Sequence, residues 1–107
     1  MLFLCGELMK KLFIVQPMRG LTEDEIERLR QQAWDTAEEM TGEHLEVLDT
    51  YSRDEAEPLE LLGRSIQQMA HADYVIFCPF YGGYRGCRIE QIAAAEYDKK
   101  CLYMRGE

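Results

Sequence analysis

The residues of this chain best suited to chemistry fall between Ala72 and Ala95, in the run ADYVIFCPFYGGYRGCRIEQIAAA. The spacing predicts a buried strand over Tyr74–Cys78, a loop of aromatics, glycines and arginines, and then a helix carrying Glu90 in its first turns. In an α/β sheet such a strand-to-helix loop lies at the carboxyl edge, where these folds bind ligands. A carboxylate beside exposed backbone N–H groups and two arginines, Arg85 and Arg88, suggests a site for a polar, anionic small molecule. Placed near a helix N-terminus, Glu90 is expected to be ionised at neutral pH. The bland alternative is a helix-start glutamate that only stabilises the dipole.

A second group lies at Gln16–Gly20, QPMRG, which follows the apolar run Leu12–Val15. A guanidinium at Arg19 with free N–H groups nearby suits a phosphate or carboxylate. It would equally serve as a surface arginine paired with Glu23 or Asp24. Gln16 and Met18 could line a pocket for the remainder of the ligand. Phe80, Tyr81 and Tyr84 could stack on a planar ring or form a lid hinged at Gly82-Gly83, or pack against a second subunit. Cys87 offers a rival: a thiol at a helix start beside Arg85 and Arg88 could have a depressed pKa and act as a nucleophile or redox sensor. Asp73 precedes the central strand, where a turn or helix-ending role suffices. His44 and His71 read as surface residues, and Trp34 as core or interface.

The elements that must position these residues follow from hydrophobic period and punctuation. Leu12–Val15 is a short apolar run of β-formers, as in a strand covered on both faces. Thr22-Glu23-Asp24-Glu25 has the spacing of a capping box. Ile26, Leu29, Ala33, Ala37 and Met40 then supply one helical stripe, and Thr41-Gly42 closes the helix. Leu45–Leu48, flanked by Glu43, Glu46 and Asp49, reads as an edge or near-edge strand. A polar loop spans Asp49–Pro58, longer than most connections. Pro58 suits the first turn of a second helix, whose stripe is Leu59, Leu62, Ile66 and Met69 and which ends near His71. A third helix is expected over Cys87–Lys99, burying Ile89, Ile92, Ala93 and Tyr97, with Lys99 and Lys100 at its negative end. Leu102–Met104 forms a last strand.

The order βαβαβαβ implies a parallel sheet with right-handed crossovers. The fold class is a three-layer α/β architecture, flavodoxin-like or Rossmann-like, with four to five strands in the order 2-1-3-4. The strand order then reverses between strands one and three, so QPMRG and PFYGGYRGC should face each other across the ligand crevice.

Composition bounds the class. With 107 residues, 47% apolar and 30% charged, the chain is one ordinary globular domain. Its 12 basic and 20 acidic residues give a net charge of −8, which argues against binding a nucleic acid backbone. No apolar run approaches the length needed to cross a bilayer. The initial MLFLCGEL has no basic region before it, so residues 1–8 read as an extension or a mis-called start. Met9-Lys10-Lys11 resembles a natural beginning, leaving 9–107 as the domain. Cys5, Cys78, Cys87 and Cys101 lack metal-ligand spacing, so no zinc site or other metal is expected. Reduced thiols fit a cytoplasmic protein, with Cys78 and Cys101 as small buried residues.

Three features together resemble the nucleoside 2-deoxyribosyltransferase-like superfamily, which includes the deoxynucleoside-monophosphate N-glycosidases. They are the strand exit IVQPMRG, the strand entry MAHADYVIF, and Gly86-Cys87-Arg88-Ile89-Glu90 opening an alanine-rich helix. The likeness covers residues 11–104 and is to a small phage-associated branch. It implies that Glu90 is the nucleophile that attacks C1′ of the sugar and displaces the base. The resulting glycosyl-enzyme would be resolved by water or by another base. A carboxylate suits an oxocarbenium-like transition state because it both stabilises and traps it. The monophosphate-specific relatives also place Arg-Gly at the position of Arg19-Gly20, which points to a phosphate there. On the residues themselves, Arg88 would help to hold it, Gln16 and Met18 could line the sugar or base pocket, and Tyr81 and Tyr84 would cover the base, with Gly82, Gly83 and Gly86 in the loop. A nucleoside or nucleotide is thus the implied ligand, with no cofactor and with assembly as a homodimer or higher homo-oligomer.

Two positions depart from the pattern. The family's second carboxylate, eight residues before the Asp matching Asp73, is Ser65 here. A further Asp, two residues before the loop glycine, is Tyr84. Losing the acid that protonates the leaving base would slow turnover by about 10²–10⁴, unless Tyr84, Tyr81, Asp49 or Asp54 substitutes. A binding module without catalysis, or an accessory interaction protein of a phage or mobile element, is the alternative reading.

Overall fold

A computed structural model describes residues 9–48 and 56–105. The expectation about residues 1–8, the candidates Asp49 and Asp54, and most of the loop that contains them lie outside the described residues. Among the described residues, four strands, β1 (Lys10–Val15), β2 (Leu45–Val47), β3 (Tyr74–Phe77) and β4 (Lys100–Tyr103), alternate with three helices. The helices are α1 (Glu23–Thr41), α2 (Pro58–Met69) and α3 (Arg85–Glu96), with a single 3-10 turn at Tyr81–Gly83. All strand pairs are parallel, and the sheet order is β2-β1-β3-β4, as the element order implied.

Strand alternation divides the core into two layers. Leu12, Ile14, Tyr74 and Ile76 point to the face covered by α1, where Ala33 and Ala37 let the helix approach closely. Phe13, Val15, Val75 and Phe77 point to the other face, against Met69 of α2 and Cys87 and Ala94 of α3. β1 and β3 are therefore buried on both sides, which is why each reads as an unbroken apolar run.

The helix ends follow local chemistry. Thr22 Oγ1 accepts from Glu25 N at 3.1 Å, and Glu25 Oε1 accepts from Thr22 N at 2.8 Å, which completes the expected capping box. Gly42, at φ 71, ends α1 in the left-handed region that glycine takes most readily. Asp73 closes the amino edge of the sheet: its Oδ2 accepts from Lys11 N at 2.8 Å and its own N–H donates to Lys11 O.

The third helix differs from expectation. It runs over Arg85–Glu96, not Cys87–Lys99, and the residues it buries are Cys87, Glu90 and Ala94. Ile89, Ile92 and Tyr97 are exposed, at 41%, 58% and 80%. Ala93 of the expected stripe does pack partly against the core, but a glutamate belongs to the set that meets the sheet, so counting apolar residues selects the wrong face. Lys99 and Lys100 do not serve this helix. Asp98 turns the chain at φ 59, and Lys99 Nζ instead donates to Ala70 O and Ala72 O at 3.0 and 2.9 Å, satisfying carbonyls at the end of α2. Lys100 begins β4. Among the other expected core residues, Met40 at 51% and Leu59 at 78% remain largely exposed, each near the end of its helix.

Candidate functional site

Strand order reverses between β1 and β3, so their trailing segments part at the carboxyl edge and leave a crevice. The β1 exit turns sharply there: Leu21 N donates to Met18 O at 3.1 Å, and Gly20 takes φ 84, a value costly for any side-chain-bearing residue. Gly20 thus shapes the turn and does not face the cleft. Across the crevice, Tyr84 reaches back to this turn, its hydroxyl 3.5 Å from Arg19 O.

Between these segments and α2 lies an open cleft of about 970 Å³, within the range of small-molecule sites. Of the site candidates singled out from sequence, Gln16, Met18, Arg19, Ser65, Gly83, Tyr84, Arg85, Gly86, Cys87, Arg88 and Glu90 line it. Glu90 and Arg19 therefore share one cavity. Tyr81 does not line it; its ring packs 5.1 Å from Phe77 and 6.2 Å from Tyr103, an aromatic cluster at the ends of β3 and β4. Gly82 likewise stands off the wall, and its carbonyl accepts from Arg88 Nη1 at 2.9 Å. Arg88 thus fastens the loop as well as bordering the cleft. Phe80 is 67% exposed and holds φ 65, an uncommon conformation for a bulky residue.

Glu90 is 8% exposed. It is the sixth residue of α3, in the second turn, where the helix dipole has faded. Burial therefore dominates and pushes its carboxyl up to about 7, partly offset by a hydrogen bond from the Ser65 hydroxyl of α2. The expectation of a fully ionised Glu90 at neutral pH is corrected accordingly: the group titrates near neutrality. Ser65, at the position the likeness gives to a second carboxylate, is thus in direct contact with Glu90. Glu90 is the only carboxylate among the described lining residues.

Cys87 is corrected as well. It borders the cleft but is only 6% exposed and packs in the core layer, and burial followed by the nearby Glu90 pushes its thiol up to about 12. A reactive thiolate does not form under those conditions. Cys78 is raised to about 12 for the same leading reason.

Gln16 is 5% exposed and fully engaged, its Nε2 donating to Ile26 O at 3.1 Å and its Oε1 accepting from Arg30 Nη1 at 3.3 Å. Arg30 also donates to Leu48 O at 2.8 Å, so it binds the carboxyl ends of β1 and β2 to α1. Sequence reading missed Arg30, which resembles any other charged helix residue, and missed Arg64 and the α2 face that forms one wall. Pro58, Leu61 and Leu62 provide apolar surface there. The start of α3 has no side-chain cap, nor does the start of α2, leaving first-turn N–H groups available to an anion. Gly83 and Gly86 lack positive φ, and a Cβ at either would meet nothing within 4 Å. Neither the backbone nor the packing requires them, and their lack of side chains keeps the wall open. No group of three or more His, Cys, Asp or Glu among the described residues could hold a metal ion. No described helix is long and apolar enough to cross a membrane.

Comparison with family models, with curated proteins and with solved structures finds no match for this chain.

Proposed function

We propose that this cleft binds a nucleoside or nucleotide and that Glu90 acts on its N-glycosidic bond. The observation that carries the reading is a buried carboxylate, partnered by one hydroxyl, in the same cavity as Arg19 and the open start of α3. In the reaction, an ionised Glu90 oxygen forms a bond to C1′ as the C1′–N bond breaks. The bonding pair leaves with the base, which takes a proton from solvent, and the water of the next step returns one to solvent. Water then attacks the glycosyl ester, returning free sugar and the Glu90 carboxylate. The sequence likeness to deoxyribosyltransferases and monophosphate glycosidases points the same way. A carboxyl that titrates near 7 is ionised in a substantial fraction of molecules at neutral pH and is also suited to proton transfer.

Incubation with deoxynucleosides and their monophosphates, followed by chromatography for free base, tests the reading. Base release is expected, with kcat/KM rising through about pH 7 as Glu90 ionises, and loss of at least a thousandfold in Glu90→Ala. Release that survives the substitution removes Glu90 from the mechanism.

One observation favours a second reading, a pocket that binds without cleaving. Ser65 cannot protonate a leaving base as a carboxylic acid would, and no other described carboxylate lines the cleft. Thermal stabilisation by nucleotides with no base released under any condition would select this module over the enzyme.

A further inference from the structure

The side chain that meets Glu90 is a hydroxyl, and this limits the glycosides the cleft can open. Breaking the C1′–N bond of a neutral nucleoside leaves an electron pair on a base that must gain a proton. An acid placed to give that proton contributes about 10²–10⁴ in rate. The proton-bearing side chains of the described wall are engaged elsewhere or unsuited. Ser65 gives its hydroxyl to Glu90, Tyr84 directs its own to Arg19 O at 3.5 Å, and Arg88 donates to Gly82 O. Cys87 is held at about 12, and a guanidinium does not give up a proton in a protein. Glu90 itself is 8% exposed, and what offsets its burial is the Ser65 hydroxyl. A positive charge on the ligand at C1′ favours the ionised carboxylate that burial opposes.

We infer that the base released here is a ring cation while it is attached to the sugar, as in a pyridinium nucleotide or a purine nucleotide alkylated at N7. Such a ring is its own electron sink. An ionised Glu90 oxygen bonds to C1′ while the C1′–N pair returns to the ring and cancels its charge. The base therefore leaves neutral and takes up no proton. Water then opens the glycosyl ester, which gives the free sugar, the Glu90 carboxylate and one proton released to solvent. Tyr84 lines the same cleft and is a residue type that attracts cations to its ring. Arg19 and the uncapped start of α3 remain for the phosphate. The inference rests on the glycosidase reading above and names its substrate class.

Base release by the intact protein at neutral pH, followed by chromatography and corrected for uncatalysed release, tests it on two matched pairs. One is N7-methyl-2′-deoxyguanosine monophosphate against deoxyguanosine monophosphate, and the other is nicotinamide mononucleotide against uridine monophosphate. In at least one pair, kcat/KM for the cationic member is expected to exceed that of the neutral member by about a hundredfold or more. The pair that responds tells which ring is taken. Ser65→Asp, which places an acid beside Glu90, should raise cleavage of the neutral member by about tenfold or more. Ser65→Asn, equal in size but not an acid, should not. The comparison on the unaltered protein stands even where a variant fails to fold. Neutral nucleotides cleaved as readily as cationic ones overturn the inference and leave the glycosidase reading standing, with Asp49→Asn and Asp54→Asn then locating the acid. Thermal stabilisation by nucleotides with no base released from any of the four removes the inference and the glycosidase reading together.

Discussion

A carboxylate in the second turn of a helix gains little from the backbone dipole, and one that is 8% exposed loses most of its hydration. Glu90 is in that position, and the single Ser65 hydroxyl compensates only in part. The sign of the consequence is definite. The folded state holds the Glu90 proton up to about pH 7, whereas the unfolded chain releases it near 4.5. Stability from this group is fully present below pH 4.5, falls as pH rises between those values, and is lowest above 7. The difference corresponds to roughly 3 kcal/mol. Glu90→Gln should therefore stabilise the protein at pH 8 by up to about that amount and change little at pH 4. Urea denaturation at the two pH values checks this, and an equal effect at both would show that Glu90 does not carry the raised pKa.

Elements were legible where one kind of signal acted alone. The capping box at Thr22, the glycine end at Gly42 and the unbroken apolar strands β1 and β3 all formed as their chemistry dictates, and the strand order followed. The phase of α3 was not legible, because its buried stripe, Cys87, Glu90 and Ala94, contains a carboxylate. Ile89 and Ile92, three residues apart, are instead exposed and carry more apolar weight. The wall supplied by α2 was hidden for another reason: Arg64 matters only through what lies opposite it, which spacing within one helix does not reveal, and Ser65 stood out only through the family likeness. The phase can be measured. Ile92→Ser should alter stability by no more than about 0.5 kcal/mol, whereas Ala94→Leu, forcing volume into the layer beside the sheet, should cost about 1–3 kcal/mol. The reverse order of effects in chemical denaturation would place the buried face on the isoleucines.

At the scale of the whole molecule, topology makes the site. Neither QPMRG nor PFYGGYRGC is a strong signal alone, but adjacent parallel strands β1 and β3 whose connections leave in opposite directions bring both to one crevice. Arg30 secures the arrangement by joining Gln16 on β1's exit to Leu48 beyond β2. The cluster of Phe77, Tyr81 and Tyr103 fixes the far side of the loop, with Phe77 and Tyr103 stacked at 4.9 Å. Loop aromatics that looked available for a base are thereby divided, Tyr81 serving the scaffold and Tyr84 facing the cleft. The most direct measurement is a crystal structure of Glu90→Gln protein with a deoxynucleotide, the substitution preserving shape while blocking attack. The sugar's C1′ is expected beside residue 90, with a phosphate against Arg19. A nucleotide seated elsewhere, or one whose sugar lies away from residue 90, would contradict it.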